Sequence, residues 1–171
     1  VPMHVWLPEA HPAAPSPVSA LMSGVMLKTA IYGLLRVTFD LLNVQIGWWG
    51  TLALALGLVT ALYGVIFAAV QSDMKRLLAW SSIENIGILV AAFGLTLIFY
   101  TDGKGGLAAL TLTAMLYHAL NHAFFKGLLF VGTGSVLHAT GVRHMGHLGG
   151  LMRFMPWTAW LTLIGALAIA G

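Results

Sequence analysis

The chain has 171 residues, 59% of them hydrophobic and 8% charged, with a mean hydropathy of +0.91. A soluble globular domain carries about 25% charged residues, so the composition excludes an ordinary soluble fold and describes an integral membrane protein in contact with the lipid bilayer. The net charge of +3 is small and scattered, which argues against nucleic acid or an acidic substrate as partner. The absence of cysteine excludes disulfides, iron–sulfur clusters and thiolate-ligated metals within the chain.

The chain opens at Val1 without a signal-peptide pattern and closes at Gly171 inside an apolar run. It is expected to be an internal fragment of a longer polytopic protein.

Residues 1–17 hold five of the six prolines. They cannot form one regular helix and are expected to lie beside a broken one, an arrangement tolerated at membrane depth only where protein or a cavity surrounds it. A first spanning helix is predicted from Val18 to Phe39, interrupted by Lys28. A loop from Asp40 to Gly47 leads to Trp48 and Trp49, placed as an interfacial belt.

The second span runs from Trp48 to Val70, rich in Gly and Ala that permit close helix contact. Gln71–Arg76 is read as a solvated polar turn, and a third span covers Leu77–Tyr100 with Ser81, Ser82, Glu84 and Asn85 inside it. After the turn Thr101–Gly106, the fourth and longest span runs from Leu107 to Leu137, with a bend expected near Gly132 and Gly134. A polar connector, 138–155, is expected as a surface helix with exposed His138, His144 and His147, and Pro156 opens a fifth apolar run. Lys75, Arg76, Arg143 and Arg153 outnumber Lys104 and Arg36, which assigns the 71–76 and 138–155 side to the cytoplasm.

The buried polar residues carry the functional argument. His118, His122 and Lys126 stand four apart, a slanted row on one helical face. Lys28 lies near the middle of its span, where a charged side chain costs about 2.5–3.5 kcal/mol on insertion scales. Such groups are retained where protons or ions move, and histidine can both donate and accept.

Two satisfied core histidines are the plain structural alternative. A metal site is disfavoured because the helix offers no acid as third ligand and Lys126 would repel a cation. Two histidines on one face cannot clasp a haem from both sides, and no second deep histidine is expected elsewhere. Glu84 is deep enough to be dehydrated, with Ser81, Ser82 and Asn85 as candidate hydrogen-bond partners. It is read either as a proton site that modulates a lysine or as a structural anchor.

Four stretches together resemble a known family: VWLPEAHPAAPSPVSALMSGVMLKTAIYGLLR, QSDMKRLLAWSSIENIG, HALNHAFFKGLLFVGTGSVLHATG and GGLMRFMPWTAWLTLIGALAIAG. The family is that of the antiporter-like membrane subunits shared by respiratory complex I, membrane-bound hydrogenases and multisubunit cation/proton antiporters. The glutamate of SSIENIG is most similar to the hydrogenase-4 and formate hydrogenlyase branch.

The resemblance implies an all-α polytopic transmembrane bundle built from inverted repeats with broken helices. It implies a proton relay of Lys28, His118, His122 and Lys126 with Glu84 modulating it, and protons or sodium ions as the coupling ion. It also implies other membrane subunits and redox subunits carrying iron–sulfur clusters or nickel–iron as partners, in the inner membrane of a prokaryote. No metal and no cofactor are expected in this chain. The ends of the path would lie upstream of Val1 and beyond Gly171, so the fragment alone is not expected to pump. Within the family, a complex I NADH:quinone oxidoreductase subunit or a multisubunit cation/proton antiporter subunit is the alternative; a scaffold that anchors a hydrogenase without moving ions is the alternative of another class.

Overall fold

A computed structural model describes residues 6–42 and 46–170. Residues 1–5, the 43–45 portion of the Asp40–Gly47 loop and Gly171 lie outside the described residues. The described secondary structure is helical apart from an isolated antiparallel bridge between Asp73 and His144.

The proline-rich opening folds as a short helix α1, Leu7–Ala13, followed by extended backbone at Ala14 and Pro15. Pro15 and Pro17 cannot both continue α1, so the chain breaks and restarts at Ser16. From there one helical column runs to Leu41: α2 (Ser16–Leu21), a widened π-turn (Met22–Met26), α3 (Leu27–Leu35) and a second π-turn (Arg36–Leu41). The sequence signals no widening, because an i→i+5 turn has no local residue signature comparable to proline or glycine.

Helix α4 spans Gly47–Ala69 and α5 spans Met74–Thr101; together with Ser16–Leu41 they are the described helices long and apolar enough to cross a membrane. Asp73 caps α5 by accepting from the backbone N–H groups of Lys75 (2.8 Å) and Arg76 (3.1 Å). Helix α6 runs unbroken for 36 residues, Gly105–Thr140, and stops where Gly141 takes a left-handed φ of 69°.

The connector beyond it is not a surface helix of any length. It pairs back to the start of α5 through Met74 N–H to Arg143 O (3.2 Å) and Met145 N–H to Ser72 O (2.9 Å). One 3₁₀ turn and the four-residue α7 (Leu151–Phe154) follow, and then α8 (Pro156–Ala170). Four consecutive residues of the 148–151 stretch include two glycines, too little apolar surface and too much backbone freedom to sustain an amphipathic helix.

The tightest seam joins α4 to α5. Gly50, Gly57 and Gly64 recur every seven residues on α4 and face Gly87 and Gly94 on α5. A Cβ added at Gly57 would stand 2.3 Å from the Ala91 nitrogen, and one at Gly87 would stand 2.4 Å from the Ala61 nitrogen. Backbones can therefore approach only because these side chains are absent, which replaces the missing hydrophobic drive between helices in lipid with van der Waals contact.

The opposite face of α4 presents Leu52, Leu56, Val59, Leu62 and Ile66 outward, with Trp48 and Trp49 exposed at its start. On the other side of α5, Leu89, Phe93, Leu97 and Met115 form the main apolar cluster with Ile31. Leu7 seats α1 against Ala68, Trp80 and Ile83.

Replacing Gly57 by Leu in the full-length subunit is expected to lower the melting temperature in detergent, by overpacking worth about 1–3 kcal/mol. Gly33→Ala, at a position where an added Cβ meets nothing within 4 Å, is expected to be neutral or stabilising by up to about 1 kcal/mol.

Candidate functional site

The site is built where the α2–α3 column, α5 and α6 meet. Helix α6 contributes His118, His122 and Lys126 at successive turns, and α5 answers with a polar face at Leu78, Ser82 and Asn85, spaced i, i+4, i+7. Lys126 and His122 are completely buried. Phe124, beside them in sequence, points outward, so the lysine's surroundings come from α5 rather than from the whole apolar run.

The Lys126 ammonium donates to the Leu78 carbonyl at 3.1 Å. The same carbonyl accepts the Ser82 hydroxyl at 2.9 Å, and Ser82 Oγ meets Ser23 Oγ at 2.7 Å. The Lys28 ammonium closes this loop by donating to the Ser23 carbonyl and contacting Nδ1 of His122. Ser23 lies in the first π-turn and Lys28 just beyond it, so the widened backbone sits at the point where the two lysines are linked.

Tautomers follow from the amide. Asn85 donates Nδ2–H to the Ser81 carbonyl at 2.8 Å, which turns its Oδ1 toward His118 Nε2 at 3.0 Å. An amide oxygen only accepts, so His118 carries its proton on Nε2. When the Lys28 ammonium donates to His122 Nδ1, the neutral His122 ring holds its proton on Nε2, a nitrogen with no hydrogen-bond partner among the described residues. The two rings lie with centroids 6.3 Å apart.

The four residues that the family resemblance implied as a relay are brought together: Lys28 with His122, His122 beside His118, and Lys126 one turn further along α6. Glu84 stands apart from the hydrogen-bonded loop. Its backbone abuts Gly64 of α4, its carboxylate is bonded by Ser81, and it acts on Lys126 through space. Ser81 is a Glu84 partner as expected, but Asn85 is not: its amide serves His118 and the Ser81 carbonyl, and Ser82 serves Ser23 and Leu78.

Two residues were read differently from sequence. Lys75, assigned to a solvated turn, is 3% exposed and donates to the Ala14 carbonyl at 2.8 Å. Its stem turns inward under α1 while Arg76 reaches Glu9 at 2.8 Å on the outside. His11 is a further deep histidine, wholly buried and stacked on Phe130 with centroids 4.7 Å apart. The only sequence signal for either residue was polarity beside prolines or a turn, which ordinarily marks a surface.

Chemically, the network alternates groups that donate with groups that can do both, in an environment where two neighbouring cations repel strongly. Lys28 and Lys126 are near enough to feel each other's charge, so protonation at one bears on the other.

The family described as NADH:quinone oxidoreductase/Mrp antiporter, transmembrane, matches residues 1–171. The chain belongs to it. Membership in the NADH:quinone oxidoreductase/Mrp antiporter family, with the apolar helices, makes this an all-α membrane protein. The chain is 49% identical to hydrogenase-4 component B of Escherichia coli (strain K12) over 99% of its length, covering 26% of that protein. It is 39% identical to formate hydrogenlyase subunit 3 of the same organism over 99% of its length, covering 28%. It is 40% identical to Na(+)/H(+) antiporter subunit A1 of Staphylococcus haemolyticus over 100% of its length, covering 21%. The chain therefore spans about a quarter of the length of these relatives.

A double-mutant cycle on Lys28→Met and His122→Leu, read as stability of the detergent-solubilised full-length chain, is expected to give a coupling of about 0.5–3 kcal/mol. Lys28→Met paired with His147→Leu, in the exposed connector, is expected to be additive.

Proposed function

We propose that the chain is part of a membrane subunit that translocates protons, or sodium ions, under the drive of redox chemistry in partner subunits. Lys28, His122, His118 and Lys126 form the relay. The observation that carries this reading is the Lys28–His122 contact, which joins two helices 94 residues apart in sequence through two titratable groups. A structural role alone would be served by an uncharged pair, without burying ammonium groups at membrane depth.

In the relay, a proton leaving Lys28 is taken up at the His122 ring, and the charge carried by one lysine alters the readiness of the other to bind a proton. His118, held in one tautomer by Asn85, extends the row. Glu84, across from Lys126, modulates its charge. The chain needs no cofactor for this.

The relatives' names support a host assembly of the hydrogenase-4 or formate hydrogenlyase kind; we place it in the inner membrane of a prokaryote. Its partners would be other membrane subunits and redox subunits carrying iron–sulfur or nickel–iron centres. A multisubunit cation/proton antiporter is the second reading, favoured by the 40% identity to antiporter subunit A1. The 71–76 and 141–145 segments, joined by backbone bonds, would form the cytoplasmic end.

In proteoliposomes holding the full complex, Lys126→Met and Lys28→Met are each expected to slow translocation by at least about tenfold while the complex still assembles. Lys126→Arg is expected to fail equally, because arginine keeps the charge but cannot release the proton. Translocation at the unmutated rate in both Met variants would sink the relay and favour a membrane anchor that moves no ions.

A further inference from the structure

His11 and Lys75 are buried titratable groups that the relay does not use, and they lie between it and one end of the bundle. Lys126 is closer to that end than its place in α6 suggests. Its ammonium sits on the carbonyl of Leu78, four residues after Met74 opens α5, a rise of about 6 Å. Lys75 occupies the turn between, with its amine turned inward to the Ala14 carbonyl.

His11 stacks on Phe130, the residue one turn beyond Lys126 on the same face of α6. The His11 ring lies within electrostatic reach of both Lys126 and Lys75. Its carbonyl accepts the Ser19 hydroxyl at 3.0 Å, which fixes the backbone and leaves the ring nitrogens uncommitted. Neither nitrogen has a hydrogen-bond partner among the described residues, although the side chain is completely buried. A buried imidazole with both polar atoms unpaired carries a desolvation cost that an apolar ring of the same shape would not.

Next to them in the chain, the residues that flank His11 and Lys75 line a recess of about 380 Å³, formed by Pro12, Val70 and the polar side chains of 71–73, Arg76, Arg143 and His144. Arg143 donates to the Pro12 carbonyl at 3.0 Å and lies 3.5 Å from the Asp73 carboxylate, and Arg76 is held by Glu9. The recess is thus rimmed by paired charges, with Pro12 directly following His11 in the chain.

Resting on the relay proposed above, we propose that His11, with Lys75, is the proton connection between Lys126 and this recess. One ring nitrogen of His11 takes a proton from the recess side, and the other releases its proton to the neutral amine of Lys126. The ring is left neutral in the opposite tautomer, and a flip restores it. Lys75 governs the recess side of His11 by its own charge, and Lys126 governs the inner side. The charged groups that surround α1 besides these are paired with one another: Glu9 with Arg76, and Arg143 with Asp73 and the Pro12 carbonyl.

The test measures proton translocation against pH in proteoliposomes of the full complex for the unmutated protein, His11→Gln, Lys75→Met and Lys126→Met. His11→Gln keeps hydrogen-bonding capacity and removes the titrating ring. It is expected to slow translocation by at least about tenfold, with a loss that varies with pH. Lys75→Met, an independent probe of the same connection should His11→Gln fail to assemble, is expected to shift the pH profile.

His11→Gln at the unmutated rate, alongside a defective Lys126→Met, overturns the connection and leaves the relay standing. A loss by the same factor at every pH assigns His11 to helix packing and also overturns it. An unmutated pH profile in Lys75→Met does the same for that residue's part. Unimpaired Lys126→Met overturns the connection, and with an unimpaired Lys28→Met it overturns the relay as well.

Discussion

An ammonium group inside a bilayer must find oxygen or nitrogen partners within the protein, and two such groups, Lys28 and Lys126, organise the middle of this chain. Neither can be satisfied by its own helix alone. Lys126 takes a carbonyl from α5, and Lys28 combines a carbonyl from its own widened turn with a ring nitrogen from α6. The serine pair Ser23–Ser82 stitches the two together. Charged hydrogen bonds of this kind are worth about 1.5–3 kcal/mol each, and losing one leaves a buried cation uncompensated. These polar contacts fix the register of three helices that the apolar cluster of Ile31, Leu89, Phe93, Leu97 and Met115 also holds together.

Helix α5 serves two opposite demands. Toward α4 it presents Gly87, Ala91 and Gly94, so that two backbones meet with no side chains between them. Toward α6 and the α2–α3 column it presents Ser82, Asn85 and the Leu78 carbonyl. A rigid, close-packed back supports a polar front whose hydrogen bonds need fixed geometry. Glu84 belongs to the α4 side of this division, which explains why it influences Lys126 through space without joining the hydrogen-bonded loop.

The polar end of the bundle is assembled from three distant segments. The start of α5, the stretch after α6 and the proline-broken α1 are tied by the Asp73–His144 bridge, the Arg143–Asp73 pair and the Arg76–Glu9 pair. Exposed ion pairs of this sort contribute little stability individually. Their consequence is positional: they close α1 over α5, and that closure buries His11 and Lys75. A protein of the NADH:quinone oxidoreductase/Mrp antiporter family thus has titratable groups at two depths here, those of the row and those beneath the recess.

Hydropathy made the bundle legible because membrane insertion is a local property, set by about 20 consecutive side chains. The Gly and Ala content of α4 permitted a close helix contact, and the four-residue spacing of His118, His122 and Lys126 placed them on one face, since a helix's period is carried by its own backbone. What no window of sequence contains is the partner. Ser23 and Ser82 are 59 residues apart, Lys28 and His122 are 94 apart, and either serine alone is an ordinary polar residue in an apolar helix. The π-turns were silent because they arise from how helices press on one another. Lys75 and His11 were misjudged because polarity next to a turn or a proline normally means solvent, and only the folding of α1 across α5 removes it. That titratable groups lie at membrane depth, and on which helical faces, follows from local hydropathy and helical period. The tertiary structure alone decided which of them touch, because that depends on contacts between segments that share no local signal.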